Sequence, residues 1–263
     1  MNRDSNSYTF LFAAIMVFVV ASSLAFTATS LKDKQNENVR KEQMQNILST
    51  IGIETDRDGA EKLYNQFITQ QLALTLEGKA DEEVNAFKIQ LGTEVKKPVK
   101  QQRFPLYVAK VDSDKFYIVP LRGAGLWDAI WGYIALESDM KTIKGAVFDH
   151  KGETAGLGAE ITQKWFQDRF VGETITDDNG NLVGIAVSKT NNDPNGADKT
   201  DHEVDAISGA TITGDGVTDM ISERLAHYSP YFKNTAANQA KAEIQGDTEE
   251  VLAEEAQIIA YQN

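Results

Sequence analysis

Between residues 5 and 31 the chain carries no charged side chain, and within that stretch residues 10–26 are almost entirely apolar: Phe10, Leu11, Phe12, Ile15, Met16, Val17, Phe18, Val19, Val20 and Leu24 all fall here. A helix needs about 20 such residues to cross the hydrocarbon core of a bilayer. The run therefore predicts a membrane span over 8–31, behind a short N-terminal segment of residues 1–7. A cleaved signal peptide is the competing reading, with Ser23-Leu24-Ala25 as a small-residue cleavage site. The apolar run is long for that role. Orientation stays open, because Arg3 on one side faces Lys32, Lys34, Arg40 and Lys41 on the other, and long domains translocate largely regardless of flanking charge.

Beyond the span, residues 32–43 read as a polar helical stalk. Met44, Ile47, Leu48 and Ile51 continue at helical spacing until Gly52. A second amphipathic helix is predicted over 58–76, with Ala60, Leu63, Tyr64, Phe67 and Ile68 on one face. Residues 78–102 are polar and weakly patterned. Strands are predicted over 106–111 and 115–120, joined through Asp112-Ser113-Asp114 as a hairpin, and over 132–136, 143–148 and 182–188. A short helical turn is expected over 165–170. Val217, Met220, Ile221 and Leu225 mark a last helix beginning near 214–217. Strands grouped together with helices before and after predict an α+β fold: one soluble domain, residues 32–234, with a mainly antiparallel sheet. Residues 235–263, rich in Ala, Glu and Gln, form a separate tail read as loose helix or disorder. No G-x-G-x-x-G follows a strand, so no dinucleotide site is signalled.

Composition narrows the chemistry. The 263 residues carry a net charge of -13, which argues against nucleic acid as a partner. There is no cysteine, so thiolate-ligated clusters, thiol catalysis and disulfides are excluded. The three histidines, His150, His202 and His227, have no metal-ligand spacing. No metal site and no catalytic side chain are predicted. Redox chemistry would need an organic cofactor. The loop Asn191-Asn192-Asp193-Pro194-Asn195-Gly196 lacks the leading Asp and closing Glu of a calcium loop, with His202 at the twelfth place. It is read as a plain loop.

One segment stands apart. In Asp205-Ala206-Ile207-Ser208-Gly209-Ala210-Thr211-Ile212-Thr213, small residues surround hydroxyls just ahead of a helix. Gly209 and Ala210 permit close approach to the backbone, and Ser208, Thr211 and Thr213 offer donors. The helix start adds free N–H groups and a positive dipole end, so an anion such as phosphate would fit. Helix capping by Thr213 or Asp215 explains the same spacing without a ligand, and the residues alone leave both readings open.

Asp205-x-x-Ser208-Gly209-Ala210-Thr211 resembles the D-x-x-[ST]-G-A-T flavinylation motif. The stretch from Arg122 through Gly123, Gly125, Leu126 and Trp127 to Gly132-Tyr133 resembles the R-G-x-G-L-W…G-Y/F segment of the C-subunit family of sodium-translocating NADH:quinone reductases. His150-Lys151-Gly152-Glu153-Thr154-Ala155-Gly156-Leu157-Gly158 resembles the H-x-x-E-T-x-G-L-G loop of FMN-binding domains in that family. The resemblance covers about residues 8–234. It implies an FMN held covalently, through a phosphoester, on Thr211, with Asp205, Ser208, Gly209 and Ala210 completing the signature. It further implies that Gly156, Leu157 and Gly158 pack near the flavin and that Glu153 and Thr154 bond its polar edge. Implied partners are the other subunits of a membrane redox pump, a flavin transferase during maturation, and membrane lipid. The implied place is the cytoplasmic membrane, with the soluble domain outside. The related G subunit of the Rnf complex shares the flavinylation motif and the loop but generally lacks the G-L-W segment. A non-redox, membrane-tethered assembly domain is the other alternative. His150 invites a proton-transfer role because histidine as a residue type has a near-neutral reference value, although a loop histidine is more often simply at the surface. Trp127, Trp131 and Tyr133 are expected to pack the core or face a partner, with stacking on the flavin as the alternative.

Overall fold

The computed structural model describes residues 5–194 and 196–261, with the side chains of the last helix as far as residue 238. The N-terminal segment expected over 1–7 thus lies partly outside the described residues, as does position 195 of the 191–196 loop. Helix α1 (Asn6–Ser49) runs unbroken from the apolar stretch into the soluble domain. No proline or glycine interrupts it, and the Ser5 side chain caps its start by accepting from the Tyr8 N–H at 3.3 Å. Its apolar part has a mean hydropathy of 2.4 and is long enough to cross a membrane. The helix ends where Gly52 takes a φ of 81°, letting the Ile53 N–H reach the Leu48 carbonyl at 3.1 Å.

Five strands follow in a simple antiparallel order: β1 (Ile68–Leu74), β2 (Phe104–Val111), β3 (Asp114–Ala124), β4 (Ala129–Leu136) and β5 (Ile143–His150). Alternate residues of these strands serve two cores. On one face Tyr107, Ala109, Phe116, Ile118 and Ala135 pack against Met44, Ile47, Leu48 and Ile51 of α1 and against Tyr64 of α2 (Ala60–Phe67). On the other, Leu106, Val108, Tyr117, Val119, Leu121 and Ile134 meet the last helix, α5 (Thr211–Tyr261), through Val217, Met220, Ile221, Leu225, Tyr228 and Phe232. The single-turn helices α3 (Leu91–Glu94) and α4 (Lys164–Gln167) cover the margins. Strands β6 (Ala186–Val187) and β7 (Glu203–Val204) form a short parallel pair. The architecture is α+β, an antiparallel sheet enclosed by helices behind one long apolar N-terminal helix.

Both long helices approach the sheet from the same end. Helix α1 passes Arg122 and Trp131 with its residues 36–43 and finishes where the Thr50 carbonyl presses on Gly145. Helix α5 starts against Ala124, where Gly216 lies on the Ala124 carbonyl, and later reaches Tyr117 with Phe232. The start of α5 therefore sits at the end of the sheet from which α1 arrives.

Three expectations are corrected. The helix expected over 58–76 stops at Phe67, and residues 68–74 form β1, paired antiparallel with β2. Ile68 continues the helical period of Leu63, Tyr64 and Phe67, so the pattern cannot mark the switch; the exposed edge of β2 decides it. The strand expected over 182–188 shrinks to β6, because Gly184 at φ 74° breaks the extended run. The last helix begins at Thr211, ahead of the expected 214–217.

His227 is stacked on Phe104, ring centroids 4.5 Å apart. Burial, then the charge of Arg224, holds its pKa below the ordinary 6.5. Folding thus favours the neutral ring. The stability it contributes is complete above pH 6.5 and is lost as the pH falls through that value toward the depressed one. The thermal midpoint is expected to drop between about pH 7.5 and about pH 5.5, and H227F to flatten that slope. Equal slopes in the two proteins would assign the effect to other groups.

Candidate functional site

Three loops meet at the Ala124 end of the sheet: residues 125–128 between β3 and β4, residues 151–158 after β5, and residues 205–213 entering α5. A single carboxylate ties them. Glu153 is buried, 7% exposed. Its Oε2 accepts the Thr213 hydroxyl at 2.6 Å and its Oε1 accepts the Trp127 N–H at 3.0 Å. Its own N–H donates to His150 Nδ1 at 3.1 Å, which makes the histidine a brace for the turn. Burying a carboxylate is costly unless its oxygens are bonded, and charge-assisted bonds of this kind are the strong ones. The Trp127 indole N–H donates in turn to the Thr154 hydroxyl at 3.2 Å. Lys151 and Asp128 pair at 2.8 Å across the same two loops, and the Lys151 hydrogen bond lowers the Asp128 pKa. That pair is exposed and screened, so the buried Glu153 set dominates.

The convergence requires missing side chains. A Cβ at Gly158 would overlap both Glu153 Oε2 and Thr213 Oγ1, and one at Gly216 would overlap the Ala124 carbonyl. Gly209, at φ 74°, lies under the Leu157 side chain. The G-L-G loop thereby sits directly on the Ser208–Thr211 turn.

Thr211 is exposed at the first position of α5. The first helical bond closes from the Gly214 N–H to the Ala210 carbonyl at 2.9 Å, so the N–H groups of residues 211–213 have no intrahelical acceptor. Around this hydroxyl the three loops present apolar side chains to solvent: Leu126 47%, Trp127 68%, Leu157 40% and Ile212 58% exposed. Such a grouping of exposed apolar side chains marks a place where something binds.

The expected site residues divide. Ser208, Gly209, Thr211, Thr154, Gly156 and Leu157 lie at the surface, whereas Ala210, Gly158, Thr213, Glu153 and Asp205 are buried. Thr213 does not cap the helix; its hydroxyl goes to Glu153. Glu153, expected at a ligand's polar edge, is turned inward with both oxygens accepting from the protein. Asp205 Oδ1 accepts the N–H groups of Asn192 and Asp193 at 3.0 and 3.1 Å, and Arg169 holds its carbonyl at 2.8 Å. Trp127 does not enter the core, while Trp131 and Tyr133 lie half-buried on the α1 side of the sheet. Ile212 was missed, although it falls out of phase with the buried stripe of Val217, Met220, Ile221 and Leu225 and so had to face outward.

Residues 125–226 match the sequence profile of the FMN-binding domain family, an interval that opens at Gly125 and spans Glu153, Gly158 and Thr211. The chain is 31% identical over 238 residues to the C subunit of the Na(+)-translocating NADH-quinone reductase of Vibrio parahaemolyticus, covering 82% of this chain and 89% of the relative. It is 29% identical over 240 residues to the protein of the same name in Pseudomonas aeruginosa, covering 84% and 91%. The crystal structure of that subunit from Parabacteroides distasonis superposes with a TM-score of 0.69 at 36% identity, covering 77% of this chain and 96% of that one.

Gly158→Ala is expected to force Glu153 and Thr213 apart and to cost about 1–3 kcal/mol of stability, read as a lower urea midpoint. A midpoint equal to wild type would mean that the Glu153–Thr213 contact does not hold the loops together.

Proposed function

The chain belongs to the family formed by the C subunit of the Na(+)-translocating NADH-quinone reductase, and from that premise we propose that it relays electrons in such a complex through an FMN joined by a phosphoester to Thr211 Oγ1. The observation that carries the reading is the exposed Thr211 hydroxyl at the start of α5, beside the solvent-facing Leu126, Trp127, Leu157 and Ile212. These residues suit the group. The first-turn N–H groups and the dipole of α5 favour a phosphate. The apolar side chains offer a platform for a flat ring system, with the indole of Trp127 held in place by Thr154. Glu153, Thr213 and Asp205 act behind the site, fixing the loops. When bound, the flavin supplies the redox chemistry that a chain without cysteine needs from an organic cofactor.

A covalent bond makes retention independent of affinity, so the ring can lie shallowly with an edge open to redox partners. Thr211 takes no part in turnover in this reading; once, during maturation, its hydroxyl attacks the phosphorus of an activated flavin nucleotide held by a flavin transferase, losing its proton and expelling the activating group as the phosphoester forms. The soluble domain is assigned to the extracytoplasmic face, where little free FMN would replace a lost one. Helix α1 anchors it, and the Thr211 end is the one from which α1 arrives, which suits exchange with membrane-embedded subunits. NADH oxidation and sodium movement belong to those partners, since one span forms no channel.

Co-expression with a flavin transferase tests the proposal. The wild-type band is expected to fluoresce in a denaturing gel. Thr211→Val should remove the signal at unchanged expression, and Thr211→Ser should keep part of it. A fluorescent T211V band, or a dark wild-type band with the transferase active, would overturn it.

A further inference from the structure

On the face of the sheet opposite α5, a groove of about 920 Å³ runs between α1 and the segment around α3. Its floor includes Arg122, Trp131 and Tyr133, and its walls carry Arg40 from α1 and Lys88 from the facing segment. In a chain of net charge -13, no carboxylate lines it. Arg40 is paired with Glu61 at 2.6 Å. Among the described residues neither Lys88 nor Arg122 makes an ion pair, although Arg122 lies within Coulombic reach of Asp128. Room for the Arg122 guanidinium comes from Gly92, where a Cβ would stand 3.2 Å from its Cζ.

The place of the groove identifies what it meets. Asn36, at its α1 margin, follows the last residue of the uncharged stretch, Leu31, by a little more than one helical turn, about 8 Å along the axis. The polar headgroup layer on each side of the hydrocarbon core is about 5–8 Å deep. The groove therefore opens where α1 leaves the headgroups, and its two unpaired cations lie at a height where an anionic surface is felt. Trp131 and Tyr133 are side chains suited to that boundary, with an apolar body and a polar tip.

We propose that this groove is a binding site for the phosphate headgroup of an anionic phospholipid, held by Lys88 and Arg122 beside the anchor. The site is separate from the Thr211 surface and does not depend on the flavin reading; it depends on α1 standing in a membrane.

The test uses the full-length chain, purified in detergent, stripped of lipid, and titrated with phosphatidylglycerol and phosphatidylcholine at equal mole fraction, with adducts counted by native mass spectrometry. Wild type is expected to prefer phosphatidylglycerol by about 25-fold, since each of the two cations near an anionic surface contributes roughly fivefold. K88Q/R122Q should bring the preference close to one, and K88R/R122K should retain it. Circular dichroism of each variant verifies the fold, and the conservative pair keeps the test decisive if the neutral pair unfolds. Equal binding of the two lipids by wild type, or an undiminished preference in folded K88Q/R122Q, would overturn the proposal. Displacement of the lipid by inorganic phosphate would overturn it in favour of a free anion. Loss of co-purifying pump subunits from K88Q/R122Q, with lipid adducts unchanged, would overturn it in favour of a protein partner.

Discussion

The chemistry end of this molecule depends on a carboxylate that faces inward. Glu153 accepts from Trp127 and Thr213, and its N–H is braced by His150. The Trp127 and Thr213 contacts join residues far apart in sequence, and each reaches a different loop. Without them the buried charge would be uncompensated, a larger penalty than the loss of an exposed ion pair such as Lys151–Asp128. The glycines follow from the same constraint. Gly158 exists to let Glu153 and Thr213 touch, and Gly216 to let the start of α5 lie against Ala124. The larger side chains on the loops so joined, Leu126, Trp127, Leu157 and Ile212, face outward.

The sheet serves as a divider. One face belongs to the anchor helix and one to α5, and period-two alternation along β2, β3 and β4 keeps the two cores apart. That separation explains why aromatic residues close in sequence have different surroundings. Trp127 lies in the turn and reaches the Thr211 side, whereas Trp131 and Tyr133, two apart on β4, both point to the α1 side. A stretch that reads as one aromatic motif is divided between two surfaces.

Much of this is legible in the chain itself, for physical reasons that can be named. The apolar run without charge, the hairpin at Asp112-Ser113 and the buried stripe of α5 each follow from a periodicity that local sequence fixes. The small-residue segment before α5 announces a special turn. What is not legible needs contacts between distant residues. Whether residues 68–74 continue a helix or become an edge strand is decided by β2, which lies 30 or more positions away. The inward turn of Glu153 cannot be read from its loop, because its partners come from two other loops. Asp205 looks like part of a ligand signature, yet its Oδ1 organises the backbone of residues 192 and 193.

Helix α1 carries no hinge. From Asn6 to Ser49 there is no proline, glycine or break, and its last turns are embedded in the protein interior through Ile47 and Leu48. The predicted span over 8–31 is about 36 Å long as a helix, somewhat more than the roughly 30 Å of a typical hydrocarbon core, and an overlong span commonly answers by leaning. Since shaft and body are one piece, any lean is inherited by the whole domain. Bilayer thickness thereby becomes a mechanical input that sets the angle at which the loop end of the sheet meets the proteins around it.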